Sequence, residues 1–227
     1  MKFHLARPAL VLASSLALAS CGGGGKETYP VKVTVSNVLY EGLILTTNGQ
    51  EVAVPVPAKA GDPVVVTFPN GLDYGTYYNV VPKGGTAAGG GSQPAHQNCA
   101  TTSFPREYGT AGQTASLESA RTPAIEVFYS CVLKAYPLSG NVTGLTAGNL
   151  TLINGSNSQV TIAGSTTTSP LPFSLGSVPF GTSFGVTVLT QPAGFTCTVA
   201  NGTGEMKETQ ETAGGVTNVA VSCSPNS

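Results

Sequence analysis

Apolar and polar positions alternate along many short stretches of this chain. In residues 183–188, Phe184, Val186 and Val188 share one phase, while Ser183, Gly185 and Thr187 share the other. Val219, Val221 and Cys223 share a phase, as do Val127, Tyr129 and Cys131, and Cys197 keeps phase with Val199. A period of two buries one side of a β-strand. Gly, Pro and Asn separate these runs, and no helical period is long enough to compete; residues 114–121 could add a turn or two of helix. The pattern predicts an all-β protein.

The strands recur. YGTYYNVV (residues 74–81) matches FGTSFGVT (180–187) at an offset of 106, QPAHQNC (93–99) matches QPAGFTC (191–197) at 98, and EVFYSC (126–131) matches NVAVSC (218–223) at 92. LILTTNG (43–49) faces LTLING (150–155). The matches keep their order, so the chain reads as two copies of one unit. The falling offset gives the first copy extra loop residues, at 82–92 and between Cys99 and Ile125. The division falls near residue 136, and each unit has an ordinary domain size.

Five cysteines leave one over. Cys99, Cys131, Cys197 and Cys223 allow three pairings. The repeat singles out Cys99–Cys131 and Cys197–Cys223, and the phase of each unit's cysteines points them into its core. A metal site is the competitor, but His96 is the one histidine beyond the first twenty residues and no C-x-x-C occurs.

The remaining cysteine, Cys21, follows an export signal. Lys2 and Arg7 precede an uncharged apolar run at 8–19, too short to span a bilayer. The order Leu18, Ala19, Ser20, Cys21 resembles the lipobox of bacterial lipoproteins. That resemblance implies cleavage before Cys21 and acylation of its thiol and its new amine. Several acyl chains anchor a protein firmly where one holds it marginally. Family sorting rules favour the outer membrane, because Gly22 rather than aspartate follows the cysteine. Gly22 to Gly25, with Lys26, Glu27 and Thr28, form a leash of roughly 15 Å root-mean-square span.

Charge narrows the partners. Removal of residues 1–20 from the 227 leaves 207, with ten Lys and Arg less Lys2 and Arg7 against eleven Asp and Glu, a formal charge of −3. No basic cluster occurs, so nucleic acid is not an expected partner. No cofactor is expected either.

Several motifs invite chemistry and read better as structure. GTSFG (181–185) matches a nucleophile elbow, but Ser183 lies on an expected strand and needs a histidine and an acid. Gly22–Gly25 before Lys26 lacks the first glycine and the Ser/Thr of a phosphate loop. Four N-x-S/T sites, at Asn141, Asn149, Asn154 and Asn201, read as turn and strand-edge residues. No D-x-D calcium pattern occurs, and Glu205, Glu208 and Glu211 read as a solvated loop. Tyr74 and Tyr78 align with phenylalanines and are expected in the core, leaving Tyr77 exposed.

The stretch VTVLTQPAGFTCTVANGTG followed by VTNVAVSC, within residues 186–223, resembles a repeat found in many uncharacterised proteobacterial lipoproteins. The likeness is strong over 137–227 and weaker over 30–136. It implies small immunoglobulin-like β-sandwiches and brings no catalytic residues. The expected organisation is a lipoprotein signal peptide at 1–20, lipidated Cys21 and a tether at 21–29, and sandwiches at 30–136 and 137–227, each with its own disulfide. The expected role is a non-enzymatic outer-membrane lipoprotein, held by the lipid on Cys21, that binds or spaces another envelope protein or a glycan. Residues 82–97 and 100–124 are candidate contact loops. The alternative is an adhesin or carbohydrate-binding module, which a cluster of exposed aromatics on one sheet face would support. An enzyme of unrecognised type would need a cleft of ionisable residues, for which this chain has little material.

Overall fold

The computed structural model describes residues 27–102, 107–112, 124–156, 158–207 and 215–226. Cys21, the expected signal and the expected helical turn at 114–121 lie outside them.

The described residues form strands, turns and loops, with no helix. The first half contains β1 (Thr28–Tyr29), β2 (Val31–Ser36), β3 (Ile44–Thr47), β4 (Gln50–Ala53), β5 (Val64–Thr67), β6 (Leu72–Asp73), β7 (Tyr77–Asn79), β8 (Val81–Pro82), β9 (Gln97–Thr101), β10 (Tyr108–Thr110) and β11 (Ile125–Leu133). The second contains β12 (Ala135–Thr143), β13 (Asn149–Asn154), β14 (Ser158–Ala163), β15 (Leu171–Pro179), β16 (Ser183–Thr190), β17 (Phe195–Ala200), β18 (Thr203–Glu205) and β19 (Val216–Pro225).

The second half is a sandwich of two four-stranded sheets, ordered β15-β12-β19-β17 and β14-β13-β16-β18. The first half repeats that plan with interruptions. One sheet runs β5-β2-β11-β9, with the pair β1-β6 extending it, and the other layer is β4-β3-β8 with β10-β7. In each half the first long strand runs parallel to the last: Val35 lies beside Tyr129, and Val142 beside Val221. Each half has its own buried cluster, built around Val33, Leu45, Val127 and Tyr129 in one and Leu138, Leu152, Val186 and Val221 in the other. The chain is therefore two tandem β-sandwiches. Tyr136 already packs in the second cluster, ahead of the expected division at 136/137.

The copies differ along one strand of the second layer. Unit two's β16 runs unbroken, whereas its counterpart in unit one is split at Val80 into β7 and β8. There the Tyr129 hydroxyl donates to the Val80 carbonyl at 2.8 Å, whereas the Val80 N–H bond to the Glu107 carbonyl at 2.7 Å recurs in unit two as Val186 N–H to Gly202 carbonyl at the same distance. Val221 stands where unit one has Tyr129, so the hydroxyl bond to the strand has no counterpart in unit two. Burial, then the Glu107 carboxylate, raise the Tyr129 phenol far above its usual pKa, so it remains a donor.

Both disulfides join residues directly opposite each other on neighbouring antiparallel strands. Cys99 faces Cys131 across β9 and β11, and Cys197 faces Cys223 across β17 and β19. The Cα separations are 3.9 and 4.0 Å. Each bridge thus staples one sheet, where the bridge of antibody domains links two. All four cysteines are buried. With sequence separations of 32 and 26, the chain-entropy model assigns each bridge about 3.5 kcal/mol.

Candidate functional site

Two places on this scaffold stand out: the joint between the units and an exposed face of unit one. At the joint, β11 ends at Leu133 and β12 begins at Ala135, so Lys134 alone intervenes. Its N–H donates to the His96 carbonyl at 2.9 Å, and its carbonyl accepts from the Phe180 N–H at 2.8 Å. Its ammonium donates to the Ala95 carbonyl at 2.8 Å. One residue therefore extends the ladders of both sandwiches.

Side chains close the same junction. The His96 and Phe180 rings stack, with centroids 3.6 Å apart and planes 7° apart. Tyr40 meets both edge-on, at 5.1 and 6.0 Å. Such aromatic pairs contribute roughly 0.5–1.5 kcal/mol each beyond their buried area. Gln97, buried on β9, holds Tyr40 in place: its carboxamide oxygen accepts from the Leu39 and Tyr40 N–H groups at 2.8 and 3.2 Å, and its nitrogen donates to the Asn37 carbonyl at 2.7 Å.

Half of this joint recurs at each end of the described pair of sandwiches. At one end, the Tyr74 N–H donates to the Glu27 carbonyl at 3.2 Å, as Phe180 does to Lys134. At the far end, the Asn226 N–H donates to the Gly194 carbonyl at 2.9 Å, as Lys134 does to His96. Tyr74 is thus the counterpart of Phe180, but its ring neighbour among the described residues is Tyr29, tilted at 49° with centroids 6.3 Å apart, rather than a stacked ring like His96. It is 61% exposed, which corrects the expectation that it packs in the core; Tyr78 does pack there.

The exposed face belongs to β7 and β10. Tyr78 points inward, so its neighbours Tyr77 and Asn79 point out. Tyr108 lies opposite Asn79, and Thr110 opposite Tyr77. Opposed residues share a face, so Tyr77 and Tyr108 are diagonal neighbours on it, about 7–8 Å apart at the backbone. They are 62% and 39% exposed. Tyr74 flanks them, with its ring over Gly112; a Cβ there would overlap that ring, and φ is +84°. Glu27, Asp73, Tyr74, Gly75 and Thr76 line an open notch of about 480 Å³ beside it.

The other expected residues fall elsewhere. Ser183 begins a strand, opposite Glu205 on β18. His96 serves in the joint. Glu205 is exposed, while Glu208 and Glu211 lie outside the described residues. Among the described residues no group of three His, Cys, Asp or Glu could hold a metal ion. The glycine-rich stretch at 82–92 folds on itself: the Ser92 N–H donates to the Lys83 carbonyl at 2.9 Å, and Thr86 and Gly89 exchange two bonds of 2.9 Å. Of the second candidate loop, residues 103–106 and 113–123 lie outside the described residues.

Sequence matching aligned Gln93 with Gln191 without showing their task. The Gln93 carboxamide accepts from the Cys99 N–H at 2.8 Å and donates to the Cys99 carbonyl at 3.0 Å. Gln191 makes the same two bonds to Cys197 at the same distances.

No family model matches the chain, and no curated protein matches it. Among solved structures, it is similar to the major pilin protein T-13 from Streptococcus pyogenes serotype GAS131465, at 14% identity and a TM-score of 0.28, over 89% of this chain and 98% of that one. It is also similar to the major pilin protein T3.2 from Streptococcus pyogenes serotype GAS13637, at 12% identity and a TM-score of 0.23, over 88% of this chain and 98% of that one. Likenesses at this level carry no functional argument.

Proposed function

We propose that this protein is a non-enzymatic, lipid-anchored stalk of the bacterial outer membrane, which holds its far end and its exposed faces at a fixed distance from the anchor. The observation that carries this reading is the one-residue joint. Parallel pairing makes β2 and β11 run from the tether end to Lys134, and β12 and β19 run on from Lys134 toward Pro225. The 19 residues from Ile125 to Thr143 offer up to about 60 Å of nearly continuous extended chain. A spacer needs that continuity, and a string of independent modules does not. The partner of the stalk is an envelope protein or glycan.

The anchor is tested by Cys21→Ser in cells fed labelled fatty acid. The variant is expected to lose the label and leave the membrane fraction. Unchanged labelling and retention would contradict the anchor.

A further inference from the structure

We propose that the outer face of β7 and β10 in unit one is a binding platform for a neutral hexopyranose oligosaccharide, with Tyr77 and Tyr108 as the stacking rings. The internal repeat supplies the control. Register places Ser183 of unit two where unit one has Tyr77, and Thr203 where it has Tyr108. Unit two completes the same strand pair with those small polar residues, so the fold does not require aromatic rings there. Unit one carries two partly exposed rings, Tyr77 at 62% and Tyr108 at 39%, at positions where its own duplicate has none.

The chemistry of the face selects the ligand. A pyranose ring presents apolar C–H groups on its faces and hydroxyls around its edge. The face of a tyrosine ring is electron-rich and apolar and suits the first. Asn79 lies beside Tyr77 on the strand and directly across from Tyr108, so an amide sits between the rings to meet the second. The carboxylates of Glu27, which also accepts from the Tyr29 hydroxyl at 3.2 Å, and Asp73 border the neighbouring notch and disfavour an acidic glycan. The platform is also held in place. The Asn48 amide donates to the Tyr77 carbonyl at 2.9 Å, and the Gly75 and Ala111 N–H groups pair with Ala111 and Thr76 carbonyls at 3.0 and 2.9 Å. A fixed aromatic surface loses little conformational entropy on binding. The inference is independent of the anchor, because a soluble Cys21→Ser form carries the same face.

The test is titration of the mature protein with cellohexaose, chitohexaose and maltohexaose, followed by amide chemical shifts and calorimetry. At least one is expected to bind saturably, with shifts centred on β7 and β10. The double variant Tyr77→Ser, Tyr108→Thr installs unit two's own residues and should keep the remaining amide spectrum. Each tyrosine lost should weaken binding about three- to tenfold. Failure of all three sugars to bind at millimolar concentration overturns the platform. So does binding that the double variant leaves intact. A concentration-dependent dimer that the double variant abolishes, without sugar binding, would assign the face to a second copy instead.

Discussion

Gln191 grips both backbone groups of Cys197, and its duplicate Gln93 grips Cys99 in the same way. β9 and β17 are edge strands of their sheets. The N–H and carbonyl that each cysteine turns outward would otherwise offer a pairing site to another chain. The carboxamide stands in for the missing neighbouring strand. It also explains the disulfide's position: a residue whose ladder groups face outward forms a non-hydrogen-bonded pair with its opposite number, the pair with the closer Cα atoms. Gln191→Ala should therefore lower the stability of unit two by about 1 kcal/mol and raise its tendency to associate. Gln191→Glu keeps the acceptor but loses the donor, so it should fall between the two in chemical denaturation.

Tyr129→Phe removes the donor to the buried Val80 carbonyl. A loss of about 1–3 kcal/mol from unit one is expected, read from its denaturation midpoint. The pH dependence has a definite sign. The folded-state pKa of Tyr129 is raised, so above the unfolded value of about 10 the unfolded chain gives up this proton first. Stability from this group is complete below that pH and is lost as pH rises through the folded value. Wild type should thus weaken in alkali more steeply than Tyr129→Phe.

The two bridges should act separately. Intact mass without reductant is expected to show two disulfides, and peptide mapping to find Cys99–Cys131 and Cys197–Cys223. Replacing Cys197 and Cys223 together by alanine should destabilise unit two by roughly 3.5 kcal/mol and leave unit one's transition in place. Equal loss in both units would contradict independent cores.

Much of this architecture is legible in the sequence because alternation and duplication are both local patterns. The phase of Val127, Tyr129 and Cys131 locates a buried face, and the repeated QPA-to-cysteine spacing locates the pairing. What escapes is set by neighbours far along the chain. Tyr74 and Phe180 occupy the same place in their units, but among the described residues only Phe180 meets a ring of the other sandwich, so alignment alone misassigns Tyr74. The unit boundary also leaves a local trace: TYPV at 28–31 repeats as AYPL at 135–138, which aligns Glu27 with Lys134. The joint itself is not in any motif. His96 is matched by Gly194 and Tyr40 by Ala147, so the rings that close the junction occur once each and the repeat cannot reveal them. Gln97 likewise reads as an ordinary polar residue on a strand until its three bonds to the turn at 37–40 are seen.

The stalk depends on the joint being stiff, and residual dipolar couplings measure that directly. In weakly aligned protein, couplings from the two sandwiches should fit one alignment tensor, with the orientation fixed by Lys134 and the His96–Phe180 stack. Phe180→Ala should separate them into two tensors while each unit keeps its own fold. Two unlike tensors in the unmodified protein would mean that the sandwiches tumble independently, and the stalk would be contradicted.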